Sequence, residues 1–423
     1  MRVLWSVNTL SPEVAKIFCV KTFHAISWVD AMSQKLKLES DIILAIAAPN
    51  GSKGTKIEKK EIDGITYYVL PRDNTSANCW MQVVDDFKPD VIHAYGTEKK
   101  HNIGLIDAVQ TKVPVIISLQ GIIGEYSKYY YAGLSLSEIV FNYTIGDVLL
   151  RNGIISKKKI FIKQAEFEKT IISRVNYVEG RSDWDKVYSK RINRDLKYYY
   201  CPRMIREPFY RYRWDYDNCQ KHSILVHQAT YPIKGLHMAL DALAMIKEVF
   251  PDTVMYIAGQ QNFSPKTIKE KLLYSGYTKY IKKKIHTLEL EENIRFTGYL
   301  SADQMAAKLC DVQVCVIPSS IENAPNAIAE AMLVGTPLVS SYVGGSPDML
   351  NEGQCGLLYR FDEPEMMAYR IEQYFNDKNL CEEKSRNAVL VSQDRHDPAT
   401  LIQRIKSIYK DVVNDFKNCG GNR

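Results

Sequence analysis

No stretch of this 423-residue chain approaches the roughly 20 consecutive apolar residues that a membrane-spanning helix needs. Its first residues, MRVLWSVNTLSPEVAK, hold too short an apolar run for a secretion signal and predict a first strand instead. Nine cysteines are scattered without a CxxC pair or a Cys/His cluster at metal spacing, so neither a disulfide framework nor a zinc site is expected. That usage fits a reducing compartment, the cytoplasm. A strong charge of one sign is also missing, since the formal balance is a mild +6. What remains is ordinary globular composition, 46% hydrophobic and 25% charged, over a length that allows two or three domains with ample core.

The mild positive charge is locally bunched, at Lys157-Lys158-Lys159 and Lys282-Lys283-Lys284. Two readings stand: a solvated helix face, or attraction to anionic lipid headgroups or a pyrophosphate-bearing substrate. The second would place the protein at the inner face of the cytoplasmic membrane.

Apolar runs that suit buried parallel strands alternate with helix-period segments along both halves of the chain, which predicts α/β architecture with doubly wound parallel sheets. In the first half the expected strands are Val3–Val7, Ile42–Ala48, Thr66–Leu70, Val91–Ala94, VPVIISLQG ending at Gln120-Gly121, and Asn176–Gly180. An early helix is expected to carry Phe23, Trp28 and Met32 on its apolar side, and Ser182 to cap another. The stretch Gly121–Gly133, GIIGEYSKYYYAG, predicts a Tyr-rich loop with Glu125 and Lys128. Its rings can pack on a helix, or cover sugar rings with the lysine serving a phosphate. The Lys-rich stretch Leu134–Ser173 is expected to be helical, on the acceptor side. His93, at a strand end, is expected to be a satisfied core or rim histidine rather than a base.

The run Tyr198–Asn218 is aromatic, basic and broken by proline, and predicts an interdomain linker rather than a nucleic-acid surface. Asp183-Trp184-Asp185 and Asp215-Tyr216-Asp217 read as acids of helix first turns, not as metal sites. A second alternation starts at Ser223, and Leu401, Ile405, Ile408 and Val412 repeat at helical spacing in a closing helix. The tail Lys417–Arg423 is expected to be disordered.

The most informative stretch is Val312–Leu350, VQVCVIPSSIENAPNAIAEAMLVGTPLVSSYVGGSPDML. Val312–Ile317 predicts a buried parallel strand, Pro325-Asn326 starts a helix, and Gly335 and Pro337 end it. Such a unit aims unpaired N–H groups and a partial positive charge past the strand end, where an anion fits. Glu322 stands in the loop and Glu330 inside the helix, with seven residues between them. The turn Val343-Gly344-Gly345-Ser346-Pro347 follows, its glycines suited to a closely approaching ligand.

The Glu322/Glu330 pair, with PSSIE before it, EAM within it and GTPLV and GGSPD after it, resembles the signature of retaining GT-B glycosyltransferases of the family 4, group 1 type. The resemblance implies two Rossmann-like doubly wound domains facing a central cleft, with a C-terminal helix crossing back to the first. It gives residues 1–205 as the acceptor domain, 206–395 as the nucleotide-sugar donor domain, and 396–423 as return helix and tail. By the same resemblance Glu322 sits near the donor sugar and Glu330 holds the ribose. Lys234, in the turn Tyr231–Gly235, matches the Lys-Gly element that neutralises the donor diphosphate. The backbone of Ala324, Pro325, Asn326 and Ala327 would bind the same diphosphate, and Gly298-Tyr299-Leu300 and Gly259 would line the base.

Two positions depart from the family pattern. The Arg expected five or six residues before the lysine is replaced by Ala229 or Gln228, with Arg181 and Arg206 as candidate substitutes. The usual His-Gly is Gln120-Gly121 here, so residue 120 keeps an amide but cannot supply positive charge.

The implied activity is metal-independent, cofactor-free transfer of a sugar from a nucleotide-diphosphate sugar to an acceptor hydroxyl on a glycan or lipid-linked acceptor, in bacterial surface polysaccharide or related glycan biosynthesis. An epimerase of the same architecture and a catalytically silent glycosyltransferase-like subunit are the alternatives.

Overall fold

The computed structural model describes residues 1–20, 27–51, 56–71, 76–109, 111–227, 231–259, 267, 270 and 274–420. Phe23, Gln228 and Ala229 therefore lie outside the described residues. The chain divides into two compact units: Met1–Gly124 with Lys163–Arg206 and His396–Arg423, and Glu125–Ile162 with Glu207–Arg395. The chain leaves the first unit at Arg206 and returns to it at His396. Residues 125–162, which sequence order groups with the first domain, lie in the second unit.

Among its described residues the first unit holds eight strands: β1 (Arg2–Ser6), β2 (Ile43–Gly51), β3 (Glu58–Ile62), β4 (Ile65–Pro71), β5 (Val91–Tyr95), β6 (Val115–Ser118), β7 (Tyr177–Gly180) and β8 (Lys197–Tyr200). They form one sheet in the order β3-β4-β2-β1-β5-β6-β7-β8, parallel except for the β3–β4 hairpin. β1 and β5 are buried on both faces because helices flank the sheet, which is why they read as continuous apolar runs. The edges read differently. β3, EKKEI, is mostly exposed, and β8, KYYY, opens the segment expected to be a linker. Exposed edge strands lack the alternation that marks a half-buried one.

The closing helix Pro398–Gly420 belongs to this unit. Leu401, Ile405, Ile408 and Val412 are all buried in the same core as β1 and β5. The Trp5 indole N–H donates to Tyr409 Oη at 2.9 Å, and the same hydroxyl meets His93 Nδ1 at 2.9 Å. His93 is thus a core histidine. Asp183 and Asp185 also serve locally: Asp185 completes a capping box with Ser182 and Asp183 pairs with Lys186 at 3.7 Å.

The second unit holds β9 (Gln220–Val226), β10 (Val254–Ala258), β11 (Ile294–Gly298), β12 (Val312–Ile317), β13 (Leu338–Ser341) and β14 (Leu357–Tyr359), all parallel, in the order β11-β10-β9-β12-β13-β14. Strand order reverses between β9 and β12. In doubly wound sheets that crossing is where the loops at the carboxyl ends part and leave a crevice for ligands.

The stretch expected to be one Lys-rich helical region is three helices, Leu136–Phe141, Ile145–Leu150 and Ile154–Arg174. Capping boxes at Ser135/Glu138 and Thr144/Asp147 restart the chain twice. The expected loop before it contains the helix Ile123–Lys128. Residues 125–162 are tied into the second unit by polar contacts. Thr144 Oγ1 donates to the Tyr274 carbonyl at 2.6 Å, and Gly276 N–H to Asp147 Oδ2 at 2.9 Å.

His237 makes a third tie. In the helix Leu236–Val249, its Nε2 lies 2.7 Å from the Ala132 carbonyl and its Nδ1 3.1 Å from Tyr277 Oη. Burial lowers its pKa from 6.5 to about 4. A histidine depressed in the folded state contributes stability that is present above the unfolded value and lost as pH falls. Stability is therefore expected to decline from about pH 6.5 towards about pH 4. His237→Gln should flatten that limb in thermal melts across the same range, and an unchanged limb would remove His237 from the explanation.

Candidate active site

At the carboxyl end of β9 the chain turns through a short 3₁₀ segment, Pro232–Lys234, closed by Gly235 at φ 71°. A Cβ at Gly235 would stand 1.6 Å from the Pro318 carbonyl oxygen, so only glycine lets this turn lie against the loop after β12. Ser320 N–H donates to the Ile233 carbonyl at 2.7 Å and stitches the two loops together.

This contact brings Lys234 and Glu322 together. Lys234 Nζ lies 2.5 Å from Glu322 Oε1, the side chains being 15% and 7% exposed. The Ser319 hydroxyl donates to the same carboxylate oxygen at 2.8 Å. Burial opposes the Lys234 charge, but the Glu322 carboxylate, with Tyr231 and Tyr126, more than offsets it and holds the ammonium well above the ordinary lysine range. Glu322 is held in turn from behind: its carbonyl accepts the Gly345 N–H at 3.2 Å, which places the Gly-Gly turn against the loop.

The helix Asn326–Val334 starts beside this pair. Pro325 stands at its N-cap without a side-chain acceptor, and no acid occupies its first turn. Its positive end is therefore left without a carboxylate of its own, and Ala324–Ala327 form that end. The helix stops at Gly335, φ 91°, as the sequence predicts.

Glu330 is buried one turn along this helix, and its Oε2 meets His227 Nε2 at 2.9 Å. His227 follows β9 directly and Glu330 lies in the helix after β12, so the pair joins the segments that leave the two strands at the crossing. Sequence reading gave His227 no role. A histidine at a strand end carries no periodic mark, and its partner is 103 positions away. Tyr126 was missed in the same way. Its hydroxyl accepts the Asn323 N–H at 3.1 Å, and burial, followed by the nearby Glu322 charge, pushes its pKa far up.

The remaining candidate positions are dispersed. Gly298, φ 71°, and Gly259, φ 137°, end β11 and β10, and Gly259 N–H donates to the Gly298 carbonyl at 3.0 Å. Tyr299 is exposed and Leu300 half-buried on the same sheet end. Glu125 and Lys128 pair with each other at 2.6 Å on the helix Ile123–Lys128. Gln120 and Gly121 belong to the first unit, where Arg181 Nη2 donates to the Leu119 and Gln120 carbonyls at 3.1 and 2.8 Å. Arg206 is in that unit as well. Asp217 pairs with Lys378 at 2.7 Å, a surface role. Among the described residues no group of three or more His, Cys, Asp or Glu is gathered as for a metal ion.

Residues 216–390, which include every member of this cluster except Tyr126, match the model of the family described as glycosyl transferases group 1. Over this stretch the chain is similar to the glycosyl transferases of group 1. YtcC of Bacillus subtilis is 26% identical over 364 residues, which is 83% of this chain and 79% of that protein. Among solved structures, sucrose-phosphate synthase from Thermosynechococcus elongatus aligns with a TM-score of 0.69 at 12% identity, covering 98% of this chain and all of that one (100%). HepE of Anabaena, solved in complex with UDP-glucose, aligns with a TM-score of 0.67 at 16% identity, covering 97% of this chain and 100% of that one. At such identity these two speak for the fold, which is that of the GT-B glycosyltransferases. The matched stretch thus has its Lys-Gly turn, its two glutamates and a helix start without a side-chain cap together at the crossing of the second sheet.

Proposed function

We propose that the chain is a retaining glycosyltransferase that moves a sugar from a nucleotide-diphosphate sugar to a hydroxyl of a glycan or lipid-linked acceptor, in the assembly of a surface polysaccharide or related glycan. The observation that carries this reading is the buried Lys234–Glu322 pair beside a helix start that has no acid of its own. A diphosphate arriving there competes with Glu322 for the ammonium and meets the backbone N–H groups of residues 324–327. Glu322, released from Lys234, faces the donor sugar.

In the reaction the bond from the anomeric carbon to the diphosphate breaks, and the acceptor oxygen bonds to that carbon on the same face. The acceptor proton passes to a departing phosphate oxygen. Lys234 and the helix start stabilise the negative charge that builds on the leaving group, and Glu322 stabilises the positive charge on the ring. Lys234 here fills the place that a divalent cation would otherwise take, so the reading calls on no resident cofactor. HepE was solved with UDP-glucose, which makes uridine diphosphate sugars the first donors to test.

Glu330 is assigned to the ribose hydroxyls, oriented by His227. Thermal-shift titration of the whole chain against a panel of nucleotide sugars identifies the donor, because a ligand stabilises the fold in proportion to its occupancy. Glu330→Ala is expected to weaken affinity for the matching nucleoside diphosphate by about thirtyfold, the worth of about 2 kcal/mol of charged hydrogen bonding. Unchanged affinity would refute the ribose assignment. Donor turned over to an isomer without acceptor would replace transfer by epimerisation, and binding without turnover would leave a silent subunit.

A further inference from the structure

The helices Leu136–Phe141 and Ile145–Leu150 of the second unit turn their apolar side chains outward. Leu136, Val140 and Phe141 on the first, and Ile145, Val148 and Leu149 on the second, are 57% to 79% exposed. Scattered exposed leucines are normal, but six large apolar residues within 14 positions form a contiguous patch of a kind that marks an interaction surface.

The patch is not a frayed segment. Each helix begins with a capping box, and both are fastened to the helix Gly276–Thr287. Tyr280 Oη donates to Glu138 Oε1 at 2.8 Å, Gly276 N–H donates to Asp147 Oδ2, and Lys279 Nζ reaches the Phe141 carbonyl at 3.4 Å. Apolar side chains therefore stay in water although the backbone beneath them is held.

The charges around the patch select its partner. Glu138 and Asp147 are the only acids between residues 134 and 162, and residues 276–287 contain none. Both acids are spent on the fastening just described. Within residues 134–162 and 276–287 the charges that remain exposed are positive: Arg151 closing the second helix, Lys159 at the start of the next, and Lys279, Lys282 and Lys283 on the supporting helix. Lys279 stands against Phe141, and Lys282 lies 5.3 Å from the Tyr274 ring, whose backbone carbonyl anchors Thr144. A second copy of the same face would bring like charges together. An apolar centre flanked by exposed cations, with no exposed acid within residues 134–162 and 276–287, instead matches lipid tails beneath anionic headgroups.

We propose that the face formed by residues 136–150, with Arg151, Lys279 and Lys282 at its rim, docks on an anionic phospholipid bilayer and holds the protein on the membrane surface. No described helix is long and apolar enough to cross a membrane, so the contact is one of lying on the bilayer. This inference is independent of the donor assignment.

The whole chain, mixed with vesicles of phosphatidylcholine or of phosphatidylcholine containing a third of phosphatidylglycerol, is sedimented and the bound fraction measured. Binding is expected to the anionic vesicles, weakened by added salt, and absent with phosphatidylcholine alone. The double variant Phe141→Asp and Leu149→Asp is expected to lower the vesicle partition coefficient by about tenfold or more. Lys279→Gln with Lys282→Gln is expected to lower it less and to reduce its salt dependence. Thermal midpoint and nucleoside diphosphate affinity should stay at wild-type values in both, which separates this contact from the donor site and from misfolding. Absence of binding to anionic vesicles, or binding that neither variant alters, overturns the proposal. So does a dimer in solution that the apolar variant dissociates while vesicle binding is absent.

Discussion

Lys234→Met is expected to lower thermodynamic stability by about 3 kcal/mol and kcat/KM by about a thousandfold. The stability loss follows from the burial of its partner: among the described residues Glu322 would keep the Ser319 hydroxyl at 2.8 Å to balance a carboxylate that is 7% exposed. The catalytic loss follows from removing the side-chain cation paired with Glu322 at the proposed diphosphate site. The two effects part in the double variant Lys234→Met with Glu322→Leu. An apolar pair of similar volume in place of a buried ion pair is often neutral, so stability should return to within about 1 kcal/mol of wild type. Activity should stay absent. Denaturant titration and initial rates on the three proteins check both halves. Recovery of activity in the double variant would mean that the pair holds the loop and takes no part in transfer.

Gly235→Ala is expected to be the most damaging small substitution in the second unit. The new methyl would overlap the Pro318 carbonyl oxygen at 1.6 Å, backbone against backbone, and φ of 71° is costly for alanine on its own. The turn must then move off the loop after β12 and carry Lys234 away from Glu322. A loss of about 3 kcal/mol together with loss of transfer is expected. Gly64→Ala is the control. It has a similar φ, 76°, and nothing within 4 Å of the added carbon, so it should cost about 1 kcal/mol and leave transfer intact. Equal effects at the two sites would show that the backbone angle alone matters and that the close approach to Pro318 does not.

How much of this was legible in the sequence depended on burial. VQVCVI and VIHAY read as strands because both faces are covered, whereas EKKEI and KYYY, at sheet edges, carry no such pattern. The capping residues of the helices at 136–150 were present as Ser135-x-x-Glu138 and Thr144-x-x-Asp147, a signal that the lysine-rich composition of the region obscured. That residues 125–162 join the second unit was not readable, because it rests on contacts such as Thr144 with Tyr274, 130 positions apart.

The site divides in the same way. Lys234 and Glu322 each stand in a strand-turn-helix element, and glycine and proline mark the turns, so their meeting follows once β9 and β12 are neighbours. His227 and Ser319 became visible only with coordinates, since their part is to hold Glu330 and Glu322 and nothing in their spacing announces it. Of the expected acceptor positions, Glu125 and Lys128 are engaged with each other, in a helix rather than the loop their glycine-flanked setting suggested.

A crystal structure of the chain with a bound nucleoside diphosphate tests the central claim most directly. The account predicts the diphosphate at the start of the helix Asn326–Val334, Lys234 Nζ turned from Glu322 onto a phosphate oxygen, and the ribose hydroxyls on Glu330. A nucleotide bound elsewhere, or bound there with the Lys234–Glu322 pair still closed at 2.5 Å, would contradict it.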